Sequence, residues 1–285
     1  MSARVLLAAV CLCPAGEESG SLLVAALAAR GGEAAWAPWD APAGAWAEAD
    51  LVAVRATWDY HRRLAPFLAW AQAVERESLL LNGAATFDWN RDKAYLIELG
   101  EHVPVVPSEP IADDDLLAGL QRALERWGSV VVKPRTGASG VGVVVAEGTD
   151  DLRLAGLVTG PWLAQPLVES VRTRGESSVV VLDGRPVTQV DKLPAAGEVR
   201  VHEEYGGRSV GVPVSPEAGD LAVRAVGAAE RLLGRPLDYA RVDLMEVGGE
   251  LVVSELELIE PSLYLDLAPA AADAFADLVV ARLPR

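Results

Sequence analysis

Two β-rich runs, 129–134 and 141–146, are joined by a segment carrying three glycines, Gly137, Gly140 and Gly142, and two hydroxyls, Thr136 and Ser139. Without Cβ atoms to keep an anion away, such a loop can bring backbone N–H groups against phosphate oxygens. Lys133, at the end of the first run, adds a cation. The glycine order is G-x-x-G-x-G and a strand follows it, so the segment is neither a P-loop nor a dinucleotide fingerprint, both of which open a helix. A dinucleotide oxidoreductase is disfavoured on the same ground. Taken alone, the segment also fits a plain hairpin with a glycine turn.

Ahead of this loop the pattern alternates. Strand-like runs at 5–12, 33–37, 50–56 and 79–81 are separated by helical patterns at 20–30 and 65–76. This βαβα order predicts a parallel, doubly wound sheet whose ligand-facing residues lie at strand ends, where Arg55, Trp58, Asp59 and Tyr60 fall. Between 86 and 126 two helices flank an extended piece, 103–111, in which Pro104, Pro107 and Pro110 forbid a helix. The remainder is β-rich, with strands at 162–168 and 177–190, the latter broken by Asp183-Gly184, a type I′ hairpin signal. A helix at 217–233, a strand pair at 239–247 and 251–259, and a closing helix at 266–282 complete the order. The 285 residues exceed the usual size of one domain, so two or three units around a cleft are expected.

The last strand pair is acidic. Asp243 lies in its first strand, and Glu255 and Glu257, two apart in its second, share a face. Magnesium takes hard oxygen ligands and typically one or two protein carboxylates plus phosphate, which such a wall would present. A solvated face of an amphipathic strand fits equally well. Register discriminates. A two-residue Gly248-Gly249 turn leaves Asp243 and Glu255 on opposite faces, whereas a three-residue Gly-Gly-Glu loop, or an equivalent bulge, places them opposite each other. We expect the second geometry.

A net charge of −16 disfavours nucleic acid and anionic membranes as partners, and no apolar run approaches the roughly 20 residues of a membrane span. The apolar start flows into a strand rather than a signal peptide, which predicts a cytoplasmic location. Cys11 and Cys13 read as two buried small residues on one strand face, and the three histidines show no zinc-type spacing.

In order, these segments resemble the ATP-grasp superfamily, specifically the glutathione-synthetase-like and ribosomal-protein-S6-modifying carboxylate-amine ligases. The likeness runs from about Asn82 onward, and the βα unit before it is similar to the family's N-terminal domain. It implies an α/β fold, α+β in its C-terminal part: an N-terminal unit at 1–85, a central lid at 86–165 and a C-terminal metal-site unit at 166–285, clasping ATP. Lys93 and Lys133 resemble the family's nucleotide lysines, and Gly137, Ser139, Gly140 and Gly142 its phosphate flap. Gln165, Leu167 and Val168 resemble the adenine strand, Glu176 the acid near the ribose, and Lys192 and Arg200 the segment contacting the transferred phosphoryl group. Asp243, Glu255 and Glu257 match its metal ligands for magnesium, with manganese as a substitute. The last of these is usually Asn in glutathione synthetases.

The text around Arg55-Ala-Thr-Trp58-Asp59-Tyr60 and Ile259-Glu260-Pro261-Ser-Leu-Tyr264 looks more like the subgroup containing the cyclising ligase of D-cycloserine biosynthesis. The implied reaction joins a carboxylate to an amine through an acyl phosphate, giving ADP and phosphate, with both groups on one molecule as a cyclising variant. The alternative is a non-catalytic ATP-binding protein of the same fold. Arg55, Trp58, Asp59, Tyr60, His202 and Tyr264, with Tyr205, are the candidate substrate residues. Small-molecule acids and amines are the expected partners, and the resemblance suggests a homodimer.

Overall fold

The computed structural model describes residues 2–157 and 160–284. Its first sheet is built from β1 (Arg4–Ala9), β2 (Glu33–Pro38), β3 (Leu51–Ala56) and β4 (Leu79–Leu80), with α1 (Ser21–Ala29) and α2 (Leu64–Glu77) as crossovers. The strands are parallel in the order β2-β1-β3-β4. Both β1 and β3 are near-continuous apolar runs because helices and neighbouring units cover both faces. β1 ends three residues earlier than its apolar run suggests. The chain turns there, the Cys13 N–H donating to the Val10 carbonyl at 3.0 Å. The two cysteines therefore do not lie in a strand: Cys11 is exposed, Cys13 half-buried, and both are free thiols.

After α3 (Ala84–Asn90) and α4 (Tyr95–Leu99) comes a second sheet, made of β5 (Glu109–Ile111), β6 (Val130–Pro134), β7 (Val144–Ala146) and β8 (Trp162–Pro166). It is antiparallel in the order β5-β8-β6-β7. α5 (Leu116–Trp127) packs on one face, burying Leu120 and Ala123 against Ile111, Val130, Val132 and Ala164. Alternation along β6 then turns Val131 and Lys133 to the other face.

The third sheet contains β9 (Glu176–Leu182), β10 (Arg185–Leu193), β11 (Arg208–Val212), β12 (Tyr239–Val247) and β13 (Glu250–Glu257), in the order β11-β10-β9-β12-β13. The turn between β9 and β10 has left-handed Asp183 and Gly184 (φ 48° and 70°), as the Asp-Gly signal requires. β11 has no counterpart among the strands expected from sequence. α6 (Pro216–Leu233) is capped by Ser215, whose Oγ accepts from the Ala218 N–H, with Pro216 in its first turn and left-handed Gly234 beyond its end. α7 (Ala271–Arg282) starts later than its apolar pattern suggests, because residues 264–268 are held in a turn by N–H groups of Leu267 and Ala268 on the Tyr264 carbonyl.

The first and third sheets share a core. Leu23 and Leu27 of α1 meet Phe275 and Val279 of α7 over Val180 and Leu182 of β9. Buried Asn82 bridges the units. Its amide donates to the Tyr239 and Leu258 carbonyls, each at 2.8 Å, and its oxygen accepts from the Asp238 N–H at 2.7 Å. A buried side-chain amide with both ends satisfied fixes the orientation of everything attached to it.

Candidate active site

The second and third sheets face each other across a cleft lined by Lys93, Lys133, residues 137–141, Gln165 to Val168, Glu176, Arg200, Asp243, Glu255 and Glu257. Lys93 stands just before α4, fixed by its N–H on the Arg135 carbonyl at 2.8 Å. Its ammonium donates to the Gly137 carbonyl at 2.8 Å and meets Glu255 at 2.9 Å. Lys133 differs. Among the described residues its ammonium has no hydrogen-bond or ion-pair partner, and burial lowers its pKa, with Glu255 pulling the other way.

The glycine loop is left-handed at Ser139, Gly140 and Gly142 (φ 54°, 63° and 75°). The segment 200–205 closes on it. The Tyr205 hydroxyl donates to the Ser139 carbonyl at 3.2 Å, and the Arg200 guanidinium lies 3.6 Å from the Tyr205 ring centroid. A Cβ on Gly140 would sit 3.3 Å from both Arg200 Cδ and His202 Nδ1. Arg200 is held in turn by Glu198. At the opposite end, Gln165 donates to Ser108 Oγ at 2.9 Å, and the Leu167 N–H is taken by the Ser129 carbonyl at 3.0 Å. Leu167 and Val168 therefore border the cleft through side chains and the remaining backbone.

The acidic wall forms by a route between the two expected ones. The turn is the two-residue one, Val247 pairing with Glu250 around left-handed Gly248 and Gly249 (φ 64° and 89°). The expected pairing of Asp243 with Glu255 comes not from a three-residue loop but from the equivalent bulge. The register shifts instead between Asp243 and Leu244, where Ser254 is an extra residue in β13, so Asp243 lies opposite Glu255 and Arg241 opposite Glu257. The bulge is pinned from outside. The Val253 N–H donates to the Pro104 carbonyl and its carbonyl accepts from the Val106 N–H, both at 2.9 Å, while Ser254 Oγ donates to Glu176 at 3.2 Å.

Cations of the chain itself already hold these acids. Arg241 donates to both oxygens of Asp243, at 2.9 and 2.8 Å, and to Glu257. Ser178 donates to Asp243 as well. Burial opposes the charge on Asp243, but Arg241 and Lys192 outweigh it and hold this carboxyl well below its usual range. Burial likewise opposes Glu255, and Lys93 and Lys133 hold it down to about 2. For Glu257 burial prevails over Arg241, and its carboxyl is pushed up to about 7. Among the described residues no group of three or more ligating side chains is assembled for a metal ion. Both oxygens of Asp243 accept from Arg241, whereas among the described residues Glu255 and Glu257 each keep one oxygen without a protein partner. Those two hard oxygen donors on one face suit magnesium.

Lys192 is buried, 2.6 Å from Glu176 and 3.7 Å from Asp243, and these two carboxylates hold its ammonium well above the ordinary lysine range despite burial. Glu176, expected near a ribose, is thus tied to this lysine. Of the substrate candidates, Trp58, His202 and Tyr264 line a second chamber that opens from the cleft. Tyr205 stays with the glycine loop. Arg55 is a correction. It is fully buried, 3.1 Å from Glu17, donates to the Pro261 carbonyl, and packs over the rings of Tyr239 and Phe275. Tyr60 belongs to the core with Phe67, and Asp59 is engaged by Trp39 and Arg63, so neither lines either cavity. Arg241, Glu17 and Glu260 are the site residues that sequence reasoning missed. Arg241 carried a usable signal, since it precedes Asp243 by two on the same strand.

Comparison with known proteins points to a family. Residues 5–82 match the N-terminal domain of D-cycloserine synthetase DcsG, and residues 103–253 match the ATP-grasp domain of prokaryotic glutathione synthetase. The chain belongs to the ATP-grasp ligases. The cycloserine biosynthesis protein DcsG of Streptomyces lavendulae is 30% identical over 260 residues, covering 86% of this ligase and 87% of that protein. The glutathione synthetase of Mesorhizobium japonicum is 24% identical over 159 residues, 54% of this chain and 49% of that one. The crystal structure of D-cycloserine synthetase DcsG superposes with a TM-score of 0.89 at 27% identity, covering 99% of this chain and 100% of that chain. The D-alanine–D-alanine ligase of Bacillus anthracis, in complex with ATP, shares the fold alone (TM-score 0.69, 15% identity, 99% and 96% covered). The nucleotide of this family is ATP, and its members form C–N bonds. No helix among the described residues is long and apolar enough to cross a membrane.

Proposed function

We propose that this ligase phosphorylates a substrate carboxylate and then joins the acyl group to an amine. A carboxylate oxygen attacks the γ-phosphorus of ATP and the bond to the β-phosphate oxygen breaks, releasing ADP. The amine nitrogen then attacks the acyl carbon, the carbon–oxygen bond to phosphate breaks, and phosphate leaves as the nitrogen gives up its proton. Such chemistry asks the protein for positioning and charge neutralisation rather than for a nucleophile. The observation that carries this reading is Lys133, an ammonium without a partner among the described residues, which shares a cavity with a left-handed glycine loop. An anion with several oxygens satisfies both at once.

In this reading Lys93 and Lys133 hold phosphate oxygens, the backbone of 137–142 roofs them, and Arg200 and Arg241 face the transferred group. Closure of 200–205 on the loop keeps water from the acyl phosphate. Glu255 and Glu257 would hold magnesium, which supplies charge neutralisation between the phosphates. The acid and the amine belong to one molecule, a reading supported by likeness to a cycloserine biosynthesis protein across nearly the whole chain.

The test is ADP release with single amino-acid-derived acids, run with and without an added amine. Release with one substrate alone and loss of water from its mass supports cyclisation. Release only with a second amine points to the two-substrate form, and tight ATP-analogue binding without turnover of any acid points to a non-catalytic binder.

A further inference from the structure

The cleft and the second chamber meet at one junction, where Ser139, His202, Arg241 and Glu257 line both. In the ligase reading the glycine loop roofs the phosphates, so the acyl carbon is activated at this junction. The second step then has one demand that no group assigned so far meets: the attacking nitrogen must hand its proton to a base. Among the described residues, three titratable side chains line both cavities. Arg241 is a cation closed on Asp243 and Glu257, and a guanidinium offers no lone pair. Glu257 accepts from Arg241 and is one of the two acids that would hold magnesium. His202 is left.

Its backbone is fixed. The His202 carbonyl accepts from the N–H groups of Tyr205 and Gly207, at 3.0 and 3.1 Å, in a turn so tight that a Cβ on Gly207 would stand 2.1 Å from the Val201 carbonyl oxygen. The imidazole meets the Tyr205 ring edge-on, with centroids 6.3 Å apart. Its Nδ1 faces the glycine loop, 3.3 Å from where a Cβ on Gly140 would be, and is shut off from water with no hydrogen-bond partner among the described residues. A buried polar atom left in that state calls for an explanation. Since the ring lines both cavities, it reaches their shared space by the opposite edge, which carries Nε2. Burial, and next the charge of Lys192, lower the pKa of the imidazole; Arg241 acts in the same direction, and Glu176 and Asp243 oppose it. The ring is therefore neutral around pH 7 and has a lone pair to give.

We propose that His202 is the general base of the amide-forming step. As the amine nitrogen attacks the acyl carbon, the imidazole takes the N–H proton, the carbon–oxygen bond breaks with its electron pair going to phosphate, and the imidazolium afterwards returns the proton to water. The inference rests on the ligase reading and adds the residue that completes its second half. Contact between the glycine loop and 200–205 thereby ties the base to the roof over the phosphates.

The test separates the two halves of the reaction in the full chain. ATP and magnesium are supplied with a panel of acids: both configurations of alanine, serine and homoserine, and α,γ-diaminobutyrate and β-aminooxyalanine, which carry a second nitrogen. Hydroxylamine, largely unprotonated near neutral pH, traps the acyl phosphate as a hydroxamate without help from a base. Amide formation, by the second nitrogen or by added glycinamide, reports the complete reaction. His202→Asn and His202→Gln are expected to keep ADP release and hydroxamate formation at the wild-type rate in hydroxylamine. They should lose amide formation about 10²-fold or more, the scale of a general base, and recover part of it in added imidazole. Equal loss of hydroxamate and amide overturns the proposal, as does unchanged amide formation, or wild-type enzyme that forms hydroxamate yet no amide. If the asparagine variant does not fold, the glutamine variant decides. Absence of ADP release by the wild type with every acid, hydroxylamine included, would sink the ligase reading itself and the base with it.

Discussion

Asp243 stands directly across from Glu255 because Ser254 is an extra residue in β13. That one-residue offset brings Arg241, Asp243, Glu255 and Glu257 onto one face, and it also sets their division of labour. Arg241 closes on Asp243, and in the proposed reading the two glutamates are the ones that would hold magnesium. Glu255→Gln is expected to lower kcat on the order of 10²–10³-fold, the scale for losing one preorganised electrostatic group. It should also abolish the dependence of ATP-analogue affinity on magnesium. Steady-state ADP release and titrations with and without the ion check both effects.

Among the described residues the Lys133 ammonium has no hydrogen-bond or ion-pair partner, so its removal should harm nucleotide binding more than folding. Lys133→Met is expected to lower kcat/KM for ATP on the order of 10²–10³-fold. The melting temperature of the ligand-free protein should stay equal or rise, because an unpaired, part-buried charge is gone. A large fall in melting temperature with unchanged kcat/KM would assign Lys133 to the scaffold.

Gly140 is left-handed, and its missing Cβ faces Arg200 and His202 at 3.3 Å. Gly140→Ala should cost about 1–2 kcal/mol in backbone strain alone. The loop would part from the 200–205 segment, so acyl phosphate would leak to water. The expected signature is ADP release that continues while product formation falls, measured in the same reaction.

Glu257 titrates at about 7 in the folded chain against 4.5 for the free side chain. Folded protein keeps this proton longer than unfolded protein does, so the group's contribution to stability is present below about pH 4.5 and lost as pH rises to about 7. Magnesium requires the ionised form. Affinity for the magnesium–analogue complex should therefore climb with pH up to about 7 and level off above it, and Glu257→Gln should flatten the profile.

Arg55 and Glu17 form a buried pair linking the end of β3 to the wall of the second chamber. Arg55→Met leaves Glu17 as an uncompensated buried charge, at an expected cost of about 3–5 kcal/mol. Adding Glu17→Gln should restore much of it. Chemical denaturation of the two variants, compared with the wild type, measures the coupling.

Much of the architecture is legible in the order and type of the residues. The βαβα pattern announces the parallel sheet, Asp183-Gly184 the two-residue turn between β9 and β10, and the prolines at 104, 107 and 110 the extended crossing that pins the bulge. β11 escapes because Arg208–Val212 is exposed along much of its length and lacks a clear apolar alternation. Cys11 and Cys13 are misplaced by their apolar neighbours, since nothing local shows that β1 leaves the sheet after Ala9.

Near neighbours along the chain suffice for the two-residue period that sets Glu255 beside Glu257, the glycines able to turn left-handed, and the lysine at the strand end before them. Which side chains pair with which is set by the folded arrangement. Arg55, a substrate candidate by its place at a strand end, is sealed in the core on Glu17, while Arg241, which no local pattern singles out as a partner, holds Asp243 and Glu257. Coulomb attraction between side chains depends on separation in space and on the water excluded around them, and both are fixed by strands and loops far apart in the chain.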